Sequence, residues 1–129
     1  MPRSRSIIAA ALCLAISPAF APAYAADNSR ELSTAAAHAG MAAGAEAPQM
    51  VRSHLQHVIN CLEGPKGADF VLALGNPCGS QGEGAIPDSA ADGRKKLEDA
   101  ASLAKRALAE PTIDKAKQMA AELQSDLGR

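Results

Sequence analysis

Residues 48–63 decide the fold, and they read PQMVRSHLQHVINCLE. The apolar residues of this stretch recur at intervals of four, three and four, which is the spacing of one face of an α-helix. They are Val51, Leu55, Val58 and Leu62. Pro48 suits the first turn of a helix, and Gly64 is a common helix terminator. The stretch therefore predicts one amphipathic helix over 48–63, whose narrow apolar stripe needs a partner.

Similar patterns predict three more helices, over 29–45, 89–109 and 112–127. The stripe residues are Leu32, Ala36, Ala39 and Ala43 in the first helix, Leu97, Ala101, Ala104 and Leu108 in the third, and Ile113, Ala116, Ala120, Leu123 and Leu127 in the fourth. A short connection at 46–47 joins the first two helices into an antiparallel hairpin, and a break at Pro111 joins the last two. We therefore predict an all-α fold, a four-helix bundle made of two helical hairpins.

A long Gly/Pro-rich segment, residues 64–88, connects the two hairpins. Cys61 and Cys78 are the two cysteines that follow the first 25 residues, and in an oxidising compartment a lone pair predicts a disulfide. The bridge would make this a disulfide-stapled loop held to the end of the second helix. The alternative is that the two cysteines join histidines in a metal site. The apolar run at 70–74 is either a short strand or, as we favour, a plug that fills the core.

The first 25 residues have the organisation of a secretory signal peptide. Arg3 and Arg5 precede an apolar run, and an Ala-Tyr-Ala sequence ends at Ala25, where signal peptidase would cut, with Ala26 as the second choice. The apolar run is too short to span a membrane. We therefore predict a cleaved signal peptide over 1–25, a single helical domain over 26–129, and a periplasmic or secreted protein with no membrane span after cleavage.

Charge and composition exclude several functional classes. Loss of the signal peptide leaves eleven basic residues against fourteen acidic ones, a net charge of about −3, which argues against nucleic acid and anionic membrane surfaces. Phe70 is then the only aromatic residue, so nothing indicates stacking on bases or sugars. No nucleophile elbow, Walker loop or other enzyme motif is present, so we expect a protein that is not an enzyme.

The three histidines are concentrated in the first predicted hairpin, with His38 on the first helix and His54 and His57 on the second. At about 100° per residue, His54 and His57 share with Met50 and Cys61 a strip beside the apolar stripe of the second helix. Folding the hairpin brings His38 to the level of His54. In a hairpin of one handedness these imidazoles face each other, and in a hairpin of the other they point apart. The sequence pattern does not determine the handedness.

If the histidines converge, they form a site for a soft or borderline metal. His38 and His54, with Met41 or His57, would supply imidazoles that suit Cu and Zn and a thioether that favours Cu(I). The expected function is then weak binding or buffering of a transition metal ion. The competing interpretation is a non-catalytic interaction module, in which the histidines are structural and this flank, with the 64–88 loop, docks an unknown periplasmic protein.

A haem is disfavoured as the ligand. His/His or His/Met ligation of a b-type haem is chemically reasonable, but a haem needs a large apolar pocket, and a chain with many alanines and one phenylalanine does not supply it. Covalent c-type attachment is excluded because the chain has no Cys-x-x-Cys-His sequence.

Three stretches carry a resemblance to a known family: His38-Ala39, residues 54–57, and the Leu-Glu-Asp-Ala-Ala phrase that begins the segment from Leu97 to Lys105. They resemble the periplasmic small metal-binding proteins, which are four-helix bundles that sequester divalent metals. The resemblance implies a periplasmic helical bundle with a metal-binding role. The chain departs from the family in one respect, because the family has histidines on all its helices and the second hairpin here has none.

Overall fold

The computed structural model describes residues 27–129, so the predicted signal peptide and its cleavage position lie outside the described residues. Four α-helices and no strand are found in this part of the chain: α1 (Ser29–Gly44), α2 (Pro48–Glu63), α3 (Ala91–Ala109) and α4 (Ile113–Leu127). The prediction of an all-helical fold with four helices is confirmed. None of the four helices is both long enough and apolar enough to cross a membrane.

The observed helix bounds lie within two residues of the predicted ones. α2 agrees at both ends, and Gly64 ends it with a φ of 70° while its N–H donates to the carbonyl oxygen of Asn60. A Cβ at this glycine would lie 1.7 Å from the carbonyl oxygen of Glu83. Glycine is therefore required here, both for the left-handed backbone and for the close approach of the loop.

The start of α3 was predicted two residues too early. α3 begins at Ala91 and not at residue 89, because the two polar residues before it bond to the loop. The Ser89 hydroxyl donates to the carbonyl oxygen of Ala85, and the Asp88 carboxylate accepts the Glu83 N–H. These bonds hold the end of the loop and leave the first turn of α3 without a side-chain cap.

Packing follows the predicted stripe in α2 and departs from it in α1. Val51, Leu55, Val58 and Leu62 are all fully buried, as predicted. In α1 the buried alanines are Ala35, Ala39 and Ala42, whereas Leu32, Ala36 and Ala43 are only partly buried. Alanine fills so many positions of α1 that the sequence defines no single apolar face. The α1 helix contacts α2 and α4, and α3 contacts the same two helices.

The predicted disulfide is present, and the prediction for the apolar run in the loop is wrong. Cys61 and Cys78 are bonded, with their Cα atoms 5.2 Å apart. The run at 70–74 is neither a strand nor a core plug, because it forms a short 3₁₀ turn over Leu72–Leu74 with Leu72 74% exposed. The apolar residues of the loop that join the core are Cys78 and Ala85 instead, and the Ala85 N–H donates to the carbonyl oxygen of Cys61.

Candidate metal centre

The α1–α2 hairpin brings the three histidines together. The Nδ1 atom of His38 lies 3.1 Å from Nδ1 of His54 and 3.3 Å from Nδ1 of His57. One ring nitrogen from each of the three residues lies within 4.8 Å of the others. The hairpin therefore has the hand that makes the imidazoles converge, and this His cluster (His38, His54 and His57) can hold a metal ion.

Two of the three nitrogen separations fit a four-coordinate ion. A metal–nitrogen distance of about 2.0–2.1 Å in tetrahedral geometry places the ligand nitrogens about 3.3–3.4 Å from one another. The two Nδ1 separations at His38, 3.1 and 3.3 Å, are close to this value. Three imidazoles occupy three positions of such an ion and leave the fourth for another donor or for water.

Burial favours the neutral form of two of these imidazoles, His38 and His54. Burial is the main cause that lowers the pKa of His38 to about 4, and the neighbouring His57 and His54 rings contribute because two positive rings in contact repel each other. Burial and the neighbouring His57 also hold the pKa of His54 below its usual range. Neutral imidazoles present a lone pair, which is the form that binds a metal.

A backbone carbonyl sets the tautomer of His57. Its Nε2 atom lies 2.6 Å from the carbonyl oxygen of Leu74, in the 3₁₀ turn of the loop. A carbonyl oxygen only accepts hydrogen bonds, so Nε2 carries the proton and donates it. In the neutral ring, Nδ1 of His57 then carries the lone pair, and it lies 3.3 Å from Nδ1 of His38. Metal-binding histidines commonly donate their other ring N–H to a carbonyl in this way, which fixes the ring and its tautomer.

A buried asparagine of α2 holds that carbonyl in place. Asn60 is fully buried, and its Nδ2 donates to the carbonyl oxygens of Val71 (3.0 Å) and Gly75 (2.6 Å). Its Oδ1 accepts the Val71 N–H at 3.0 Å and the Gln56 side-chain amide at 3.0 Å. These bonds grip the loop on both sides of the 3₁₀ turn. We call this set of contacts the Asn60 clamp, and it presents the Leu74 carbonyl to His57.

Sequence reasoning missed Asn60 and Leu74 as parts of the site. A signal for Asn60 was available, since it lies between Ile59 and Cys61 in the most apolar part of α2. A buried amide there must find hydrogen-bond partners. No signal existed for Leu74, because it acts through its backbone.

The remaining predicted ligand lies on the same helix as His38. Met41 follows His38 by three residues on α1 and is 44% exposed. Cys61 and Cys78 are bonded to each other, so neither offers a thiolate, and the alternative of a Cys/His metal site is wrong.

Comparisons of the chain with protein-family models, with curated proteins and with solved structures found no match. The function is therefore argued from the chemistry of the site. The decisive features are the three converging nitrogens, the lowered pKa values of His38 and His54, and the carbonyl that orients His57.

Proposed function

We propose that this chain is an exported, non-enzymatic helical protein that binds or buffers a transition metal ion, Cu or Zn, through His38, His54 and His57 with Met41 beside them. The observation that carries the proposal is the approach of two Nδ1 atoms to Nδ1 of His38, at 3.1 and 3.3 Å. One proton between Nδ1 of His38 and a neighbouring nitrogen makes one hydrogen bond and leaves the third nitrogen without a partner, whereas a bound ion accepts a lone pair from all three.

The donor set selects the class of metal. The cluster consists of imidazoles alone, and no carboxylate belongs to it within residues 27–129. Calcium and magnesium prefer oxygen ligands, whereas imidazole suits Zn, Cu and Ni. All three rings are only partly buried, so an ion can enter and leave, as buffering requires.

Location and architecture form part of the same proposal. A disulfide between Cys61 and Cys78 supports an oxidising compartment, which agrees with a periplasmic protein whose residues 1–25 are removed. We interpret the four helices as a bundle of two hairpins, because α1 and α3 each contact both α2 and α4. The resemblance to periplasmic small metal-binding proteins implies the same architecture and a metal-binding role.

A second candidate function is a protein-interaction module of the periplasm. It is favoured by the exposure of apolar side chains in the loop, where Leu72 is 74% and Leu74 49% exposed. Under this interpretation the His cluster has a structural role and binds no ion.

Calorimetry separates the two candidates. The mature chain, residues 26–129, is titrated with Zn(II), and the titration is repeated with His38→Ala, with the double variant His38→Ala/His54→Ala, and with Gln118→Ala as a control on α4. The metal proposal expects one ion per chain in the wild type and the control, and a loss of affinity of at least about tenfold in the His38 variant. Equal Zn(II) binding in the double variant, or a wild type that binds neither Zn(II) nor copper in parallel titrations, refutes the metal proposal.

A further inference from the structure

The exposed large apolar side chains lie on the two helices that carry the His cluster and in the loop that contacts His57. Within residues 27–129 there are five, and they are Met41, Met50, Val71, Leu72 and Leu74. The last three belong to the loop that presents its carbonyl to His57. The two methionines lie on the other side of the cluster, toward the turn that joins α1 to α2.

Both methionines share a helix face with a histidine of the cluster. Met41 follows His38 by three residues on α1, and Met50 precedes His54 by four residues on α2. Residues three and four apart are neighbours on a helix surface, and side chains lean toward the helix N-terminus. Met41 therefore leans back toward His38, and His54 leans toward Met50. By this spacing we expect the two thioethers beside the imidazoles, one turn nearer the end of the hairpin.

Core packing does not explain these two methionines. Methionine usually fills irregular gaps in a core, and Met119 packs against the hydrophobic core in this way. Met41 and Met50 are 44% and 48% exposed, so each leaves about half of its surface in water. Their placement calls for a role of the sulfur atom and not of its volume.

We infer that this site binds Cu(I). The thioether of Met41 adds a ligand to the three imidazoles, and the thioether of Met50 makes the first contact with the entering ion. The inference rests on the proposed function and specifies the metal ion that the site binds. Thioether sulfur is a soft ligand that selects Cu(I), whereas Zn(II) is bound by thiolate, imidazole and carboxylate. The two cysteines of the described residues form a disulfide with each other, so methionine is the soft sulfur ligand that remains.

The test compares Cu(I) and Zn(II) on one set of variants. Cu(I) affinity is measured without oxygen by competition with bicinchoninate, and Zn(II) affinity by competition with a chromophoric chelator. The variants are Met41→Leu, Met50→Leu and their double, which keep volume and apolar character but remove the sulfur. Met119→Leu is the matched control, since it removes a sulfur from the core. We expect the double variant to lose Cu(I) affinity by at least about tenfold, with Zn(II) affinity and the control unchanged.

X-ray absorption of the Cu(I)-loaded protein gives an independent readout. The wild type and Met119→Leu should show sulfur in the copper coordination shell, and the double variant should show nitrogen alone. If Cu(I) affinity and spectrum are the same in all these proteins, or if Zn(II) affinity falls equally, the inference is overturned. Those outcomes leave the proposed function standing as long as His38→Ala weakens binding, whereas failure of the wild type to bind either ion removes the proposed function itself.

Discussion

Replacement of Asn60 by alanine separates the stability of the loop from the affinity of the site. The variant removes the three hydrogen bonds to the backbone of Val71 and Gly75. A typical hydrogen bond contributes about 1 kcal/mol, and a buried group left without its partner costs about 1–3 kcal/mol. Because some of the freed groups gain water, we expect the free energy of unfolding to fall by about 2–4 kcal/mol.

The same change should weaken metal binding without touching a ligand. Without the Asn60 clamp, the Leu74 carbonyl no longer stays 2.6 Å from Nε2 of His57, so the His57 tautomer and ring are no longer fixed. Loss of such a supporting bond typically lowers metal affinity about 10–100-fold. Stability is measured by urea denaturation followed by circular dichroism, and affinity by zinc competition.

Asn28→Ala provides the matched control. The Asn28 side chain donates to the Ala85 carbonyl (3.1 Å) and the Ser89 hydroxyl (2.6 Å), and so anchors the far end of the same loop. This variant should lose stability yet keep zinc affinity within about twofold of the wild type, because its bonds do not reach the cluster. Equal loss of affinity in both variants, or unchanged affinity in Asn60→Ala, would refute the role assigned to the clamp.

Three further predictions concern stability. The pKa of His38 is about 4 in the folded protein and 6.5 in the free side chain, so between these pH values the unfolded state binds more protons. The metal-free protein should therefore lose stability as the pH falls from 6.5 toward 4. Urea denaturation across that range should show a smaller dependence on pH in His38→Gln. Glu31 is fully buried, its Oε2 has no hydrogen-bond partner, and burial raises its pKa. Glu31→Gln should therefore stabilise the protein by about 1 kcal/mol at neutral pH and by less in acid. A lower thermal midpoint of the variant at neutral pH would contradict this. Reduction of the Cys61–Cys78 bridge, whose cysteines are 17 residues apart, should lower the free energy of unfolding by about 3 kcal/mol, measured in urea with and without reductant.

Helices with distinct apolar stripes are predictable from this sequence, and a helix without one is not. The stripe of α2 combines valine and leucine with polar residues, so its buried face follows from periodicity. In α1 alanine occupies several faces at once, and packing between α2 and α4 decides which alanines are buried. The bounds of α1 could be predicted, but its orientation about its own axis could not.

The residues of the site could be predicted from the sequence, but the convergence of their side chains could not. Helix periodicity put His54 and His57 on one strip and the hairpin put His38 at their level, while the hand of the hairpin depends on contacts with the rest of the chain. The run at 70–74 was misread because hydrophobicity suggested burial. Asn60 holds the backbone of that run, which leaves its leucines in solvent and its Leu74 carbonyl at the histidine.

A zinc-loaded crystal, with anomalous diffraction recorded at the zinc edge, gives the most direct test that one ion joins α1 to α2. The account predicts a single strong peak about 2.0–2.1 Å from the Nδ1 atoms of His38, His54 and His57. A peak held by one imidazole alone, a peak elsewhere on the molecule, or no peak at saturating zinc would contradict it.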